Sequence, residues 1–379
     1  MSPREALGAH GSGQLPLELV TVTTEQLASA SAAGAPGPEL EHLLDRAFGA
    51  DGLGVICITG DDSFQARVRR IREDLLPLAL ALDRLPDADK AAIAEAGTLN
   101  VNNYSRGIDG NRSGLYFHPA TDTPGDCLPA GIEPEPTFYA QNLWPDAALP
   151  ELRPRARDAA PFLVDVGREL ALVVDQRLAS AIEGYRPRTL VDLAQGAECC
   201  NHKCRLICYH EYESETQRKD AKGMWAPPHK DTGLFTVLVP GVFFDSDGAQ
   251  RLPACPDPEV GLYVRSRRGA ITQISAPAGS GECLFFQLGE AMQIVSGGLY
   301  HATEHCVRGP PAAQAGYLRA SLAVFFQPHA HEDLEVPEGL SLRDVAGRAT
   351  DGMLRMFLLC QPEGATRINF LTFCHREGF

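Results

Sequence analysis

The chain changes texture near residue 195. Before it, apolar residues recur at helical spacing. After it, short β-branched and aromatic runs alternate with Gly, Pro and Asp. In the first half, LELVTV (18–23) and DGLGVICITG (51–60) read as strands, and Glu39–Phe48 reads as a helix ended by Gly49. The run 63–82 is helical, with Pro77 predicting a break, and DADKAAIAEA (87–96) adds an Asp-capped helix. The strongest helical signal runs from Leu152 to Ile182. Residues 98–150 are rich in Asn, Gly, Pro and Asp and predict a long irregular segment, which in a compact protein points to a functional surface.

The later runs are CRLICYHEY, PHKDTGLFTVLV, GLYVRS, AITQIS, GECLFFQL, YHATEHCV and LRASLAVFFQ. Their number and spacing predict a β-sandwich or barrel. LSLRDVAGRATDGMLRMFLL, near the C-terminus, reads as helical and suited to close one end. The expected organisation is a loose tail (1–15), a mostly helical region (16–195), a β core (196–332) and a helical extension (333–379). No internal repeat is found.

Composition narrows the function classes. Apolar residues make up 44% and charged residues 22%, as in a water-soluble globular protein. With 34 basic and 49 acidic residues the formal charge is −15, and no basic run occurs, so nucleic-acid and anionic-membrane binding are disfavoured. Asp165, Arg168, Glu169 and Asp175 break the most apolar helical stretch, which excludes it as a membrane span. The odd count of 11 cysteines, without a CxxC pair or an apolar signal core at the start, predicts free thiols and a cytoplasmic protein.

The polar residues inside the β runs carry the candidate chemistry. His229 and Asp231 stand two apart in a run expected to be one strand, which would present both on one face. His305 follows far downstream. Two histidines and one carboxylate suit a facial triad, which leaves coordination positions open for non-haem Fe(II) and O2. Arg319 and Ser321 share a strand face, as a carboxylate clamp requires. Arg205 and Tyr209 share another. His301, on the same face as His305, competes for the third ligand position. Cys199, Cys200, His202, Cys204, Cys208 and His210 raise a zinc alternative, but strand alternation separates them and buried thiols usually act as small hydrophobes. His329 and His331 read as loop histidines. Trp225 is equally suited to a pocket wall or the core, and Tyr104, Arg106, Tyr116, Phe117 and His118 to a substrate entrance or a self-packed loop.

On the pieces RLICY, HKDTGLFTVL, GECLFFQLGEAMQIVSGGLYHATEHCV and RASLAVFF, residues from about 200 to 328 resemble the isopenicillin-N-synthase-like Fe(II)/2-oxoglutarate-dependent oxygenases, with DGLGVICITG resembling that family's leading segment. The resemblance implies a double-stranded β-helix (jelly-roll) core in an α+β, mainly β chain with flanking N-terminal helices. It implies His229, Asp231 and His305 as iron ligands. It further implies Arg319, Ser321 and Tyr209 as contacts of 2-oxoglutarate, with O2 as oxidant, ascorbate as a supporting reductant and a small-molecule substrate. Three departures stand out: Cys306 where arginine is usual, His210 where proline is usual, and a longer stretch between His305 and Arg319. The clamp also occurs in related oxidases that use O2 without 2-oxoglutarate. A non-catalytic carboxylate sensor is the alternative from another class.

Overall fold

The computed structural model describes residues 17–94, 102–107, 110–128, 130–195, 201–349 and 352–375. The expected tail 1–15, parts of 98–150, and Cys199 and Cys200 of the zinc alternative lie outside the described residues. In chain order the strands are β1 (Val20–Thr23), β2 (Val55–Thr59), β3 (Asn103–Arg106), β4 (Arg112–Phe117), β5 (Lys203–Tyr209), β6 (Met224–His229), β7 (Phe235–Asp245) and β8 (Arg251–Leu252). They continue with β9 (Gly261–Arg265), β10 (Ile271–Ile274), β11 (Leu284–Leu288), β12 (Glu304–Arg308), β13 (Tyr317–Phe326), β14 (Asp333–Glu335) and β15 (Arg367–Asn369).

Two sheets face each other. The larger has nine strands in the order β1-β2-β11-β7-β13-β5-β4-β3, with β8 beside β7; the smaller has the order β10-β9-β12-β6. From β5 onward the chain passes repeatedly between the two sheets, which winds it into the expected double-stranded β-helix. Only β1 and β2 pair in parallel; the other described pairings are antiparallel.

The helices cover the outer face of the large sheet. The helix Leu152–Ala181 buries Leu163, Gly167, Leu170, Val174 and Leu178, one stripe at helical spacing. A Cβ at Gly167 would lie 2.2 Å from Cζ of Phe326, so this mid-helix glycine lets helix and strand meet. The break expected at Pro77 is present: the helix Asp62–Arg70 passes into a π-turn (Ile71–Leu75) before helix resumes at Pro77. Proline lacks the N–H that would continue the ladder, and the wider turn absorbs the loss.

Two expectations are corrected. The run 227–238 is not one strand. β6 ends at His229, the chain turns through residues 230–234, and β7 begins at Phe235 in the other sheet. The segment 98–150 is not wholly irregular, because β3 and β4 extend the large sheet beyond β5. Both strands are short and set among turn residues, so their pairing outweighs local composition.

Candidate metal centre and cavity

His229 closes β6 and His305 lies near the start of β12; the two are directly opposite in the small sheet, with ring centroids 4.2 Å apart. Asp231 reaches them from the turn that carries the chain to the large sheet. Its Oδ1 lies 3.8 Å from Nε2 of each histidine. One donor atom from each residue falls within 4.8 Å of the others, and among the described residues no other group of His, Cys, Asp and Glu converges in this way. The separation of two along the chain therefore works through a strand end and a turn rather than through one strand face.

The ligand atoms are held from behind. Nδ1 of His229 donates to the carbonyl of Pro227 at 2.8 Å, which leaves the Nε2 lone pair facing Asp231. The Thr236 hydroxyl donates to Oδ2 of Asp231 at 2.5 Å, leaving Oδ1 directed at the histidines. The Gln287 amide contacts Nδ1 of His305, and Gln287 is fully buried. Gln287 and Thr236 are themselves cross-strand partners, so one row of the large sheet steadies two of the three ligand groups. Burial holds His305 below the usual histidine range against the pull of Asp231. Burial and the neighbouring His305 do the same to His229. Both shifts favour the neutral ring, the form that ligates a metal. Sequence reading missed Thr236 and Gln287. The available signal for Gln287 was a single polar residue inside the apolar strand LFFQL.

The triad opens into a cavity of about 400 Å³ between the sheets. Tyr209 lines it, beside Ile207 and Leu238 of the large sheet and Leu262 and Val307 of the small one. Arg319 and Ser321 are outside the lining. Arg319 is the cross-strand partner of Tyr209 and stacks on its ring, 4.7 Å from the centroid; Ser321 hydrogen-bonds the same phenol. Burial alone would raise the Tyr209 phenol. Arg319, Arg112 and the Ser321 hydrogen bond outweigh it and hold that group below the usual tyrosine range. Nη1 of Arg319 is buried with no hydrogen-bond partner among the described residues. A buried guanidinium donor without an acceptor suits an incoming carboxylate.

The other singled-out residues fall elsewhere. His301 is buried against Arg267 and is outside the triad. His202, in the irregular stretch just before β5, is fully buried, with Nε2 on the Ala194 carbonyl and Nδ1 accepting from the Gln327 N–H. Cys204 and Cys208 point into the helix-side core, opposite Arg205 and Tyr209. Trp225 is a core residue that packs on Tyr209 and Tyr317. His331 is exposed and its ring is 5.7 Å from that of His329. Of the five entrance candidates, Tyr116 lines the cavity, while Tyr104 and Arg106 are engaged by Asp83. Phe117 packs on Trp144, and His118 accepts two backbone N–H groups. Phe138 and Cys374 complete the wall, so both the 98–150 segment and the C-terminal helix reach the cavity.

No protein-family model and no curated protein matches the sequence. Solved structures do match in fold. A Caulobacter crescentus protein assigned to the 2OG-Fe(II) oxygenase family superposes with a TM-score of 0.61 at 16% identity, covering 95% of this chain and 98% of that one. A full-length Neurospora crassa protein, solved with alpha-KG and thymine, gives 0.57 at 15% identity over 97% and 98%. JOX2, solved with 2OG, Fe and JA, gives 0.55 at 15% over 98% and 91%. Among the described residues no helix is long and apolar enough to cross a membrane. By architecture, with a mixed α+β chain wound into a double-stranded β-helix, this protein has the fold of the 2OG-Fe(II) oxygenases.

Proposed function

We propose that the protein is an Fe(II)- and 2-oxoglutarate-dependent oxygenase acting on a small molecule. The carrying observation is the convergence of His229, Asp231 and His305 on the wall of a cavity between the sheets. Two neutral imidazoles and one carboxylate fit Fe(II) and leave coordination positions open. The unsatisfied Arg319 donor fits the distal carboxylate of 2-oxoglutarate. Two of the solved neighbours were captured with alpha-KG and thymine and with 2OG, Fe and JA.

Iron and 2-oxoglutarate together supply O2 activation, with the co-substrate oxidised and decarboxylated to succinate and CO2 and one oxygen atom left for the substrate. The chain's share is placement. His229, Asp231 and His305 would hold the ion, and Thr236 and Gln287 keep Asp231 and His305 aimed. Arg319, Ser321 and Tyr209 would fix the co-substrate's far end. Leu238, Leu262 and Val307 give the cavity apolar walls that keep water from the reacting groups.

The test is anaerobic addition of Fe(II) and 2-oxoglutarate, followed by O2 and ascorbate with quantitation of succinate. The expected result is a charge-transfer absorption band of the iron–2-oxoglutarate chelate, then succinate, with both lost in His229→Ala and Asp231→Ala. Succinate formation at the unmodified rate in His229→Ala refutes the assignment. An oxidase that does without 2-oxoglutarate would consume O2 without forming succinate, and a sensor would bind iron and carboxylate without turnover.

A further inference from the structure

We infer that Gly289 and Gln293 are positioning residues for the metal centre. They belong to the short helix Glu290–Val295 and its N-cap, which fixes the turn carrying Asp231 on one side and the segment leading to His305 on the other. The inference rests on the reading of His229, Asp231 and His305 as metal ligands.

Asp231 is the ligand that the sheets do not hold. His229 and His305 face each other across β6 and β12. Residues 230–234 lie between β6 and β7, outside the strand ladders, so their backbone groups must find partners elsewhere. A helix leaves its first N–H groups without partners of its own, and here three successive ones are directed at the turn. The Gly289 N–H donates to the Leu234 carbonyl at 2.9 Å, and the Glu290 N–H to that of Asp231 at 2.8 Å. The Ala291 N–H is shared between the carbonyls of Thr232 at 3.1 Å and Gly233 at 3.2 Å. Every carbonyl from Asp231 to Leu234 thus accepts from one helical turn. On the other side the Leu234 N–H donates to the carbonyl of Phe326, the last residue of β13, at 2.8 Å.

The approach is close enough to demand glycine. A Cβ at Gly289 would stand 2.1 Å from the Gly233 oxygen and 2.9 Å from that of Asp231. The Gly289 φ of −98° suits any residue, so proximity and not backbone conformation excludes a side chain. An added methyl would push the turn back by about 1 Å, beyond the roughly 0.5 Å within which a ligand group must be held. The same helix reaches the third ligand through Gln293, which is buried. Its Oε1 accepts the Ala302 N–H at 3.2 Å, and its carbonyl accepts the Gly298 N–H at 2.8 Å. Thr303, next along the approach to His305, donates its hydroxyl to the Leu53 carbonyl at 2.7 Å. Thr236 and Gln287 aim the ligand side chains. The helix places the backbone that bears them, so the separation of Asp231 and His305 is set before a metal arrives.

The test titrates Mn(II) into the metal-free full chain and into Gly289→Ala and Gln293→Met. Gly289→Ala should bind at least tenfold more weakly, and Gln293→Met, which keeps the volume and removes the acceptor, should weaken binding in the same direction by at least threefold. The visible absorption of the Co(II) complex, which reports ligand geometry, should shift in Gly289→Ala. Gly248→Ala is the control for a loss of stability alone. Its φ of +61° strains any side chain in the turn at the far end of β7, and its Mn(II) affinity and Co(II) spectrum should match those of the unmodified protein. Ordinary binding by the unmodified protein that both variants reproduce within twofold overturns the inference, as does an equal loss in Gly248→Ala. If Gly289→Ala does not fold, Gln293→Met and amide hydrogen exchange of the metal-free unmodified protein decide. The amides of residues 289–291 should be as protected as those of β11, and exchange as fast as in an exposed loop overturns the inference. Failure of the unmodified protein to bind any Mn(II) refutes the oxygenase reading and the positioning role together, whereas binding that the variants leave unaltered refutes the positioning role alone.

Discussion

Thr236→Val is the sharpest test of how the ligand set is held. Thr236 is 1% exposed and donates its hydroxyl to Oδ2 of Asp231 at 2.5 Å. Valine keeps the volume and the β-branch, so β7 should be undisturbed. What it removes is one hydrogen bond to a carboxylate, about 1.5–3 kcal/mol. At about 1.4 kcal/mol per factor of ten, that corresponds to about 10–100-fold in metal affinity, the range found when partners behind metal ligands are removed. Titration of Mn(II) into the metal-free protein measures it directly, with Thr236→Ser expected to retain most of the affinity because it restores the donor. Melting temperatures of the metal-free proteins separate a folding defect from a binding defect. A Thr236→Val variant within twofold of the unmodified protein, with the fold intact, would show that Asp231 needs no such support.

Three further outcomes follow from the geometry. Burial lowers the His202 pKa from 6.5 to about 4. The folded form therefore resists a proton that the unfolded chain accepts. The stability from keeping His202 neutral is complete above pH 6.5 and lost as pH falls from 6.5 toward 4, on the order of 3 kcal/mol. Urea unfolding across that window should show the fall, and His202→Gln should make it shallower, the remainder belonging to the other buried histidines His229, His301 and His305; an unchanged slope would contradict the burial argument. Gly167→Ala places a methyl 2.2 Å from Cζ of Phe326. Overpacking of about 1–3 kcal/mol should exceed alanine's helix advantage of about 1 kcal/mol, so thermal unfolding should shift down, and an upward shift would mean Phe326 yields freely. Gln287→Leu removes the polar contact to His305, and metal affinity should drop at least tenfold in the Mn(II) titration; an unaltered value would leave Gln287 as packing only.

Much of the centre was legible along the chain because its chemistry is local. His229 and Asp231 stand close together, and His305, Arg319 and Ser321 sit in runs whose alternation is plain. The same alternation placed Cys204 and Cys208 away from Arg205 and Tyr209, and the glycine and proline punctuation located the flanking helices. A period of two states which residues share a face, but not which strand lies beside them. That limit explains the misreading of 227–238: the apolar run continues across the turn, and only pairing with β12 on one side and with β11 and β13 on the other divides it between sheets.

Tertiary structure decided everything that depends on register. It set Thr236 and Gln287 behind two ligands, put the Tyr209 ring between its strand neighbours Arg112 and Arg319, and gathered cations from β4, β5 and the 230–234 turn around one cavity. These residues are far apart in sequence. Their meeting depends on backbone hydrogen bonds between strands, which are the same for every side chain and leave no mark on composition. The sequence alone determined which residues could bind a metal and where most of the strands and helices fall, since both follow from side-chain chemistry and local periodicity, while β3, β4 and the break between β6 and β7 escaped it. The folded sheets determined which of those residues meet, and what surrounds them when they do.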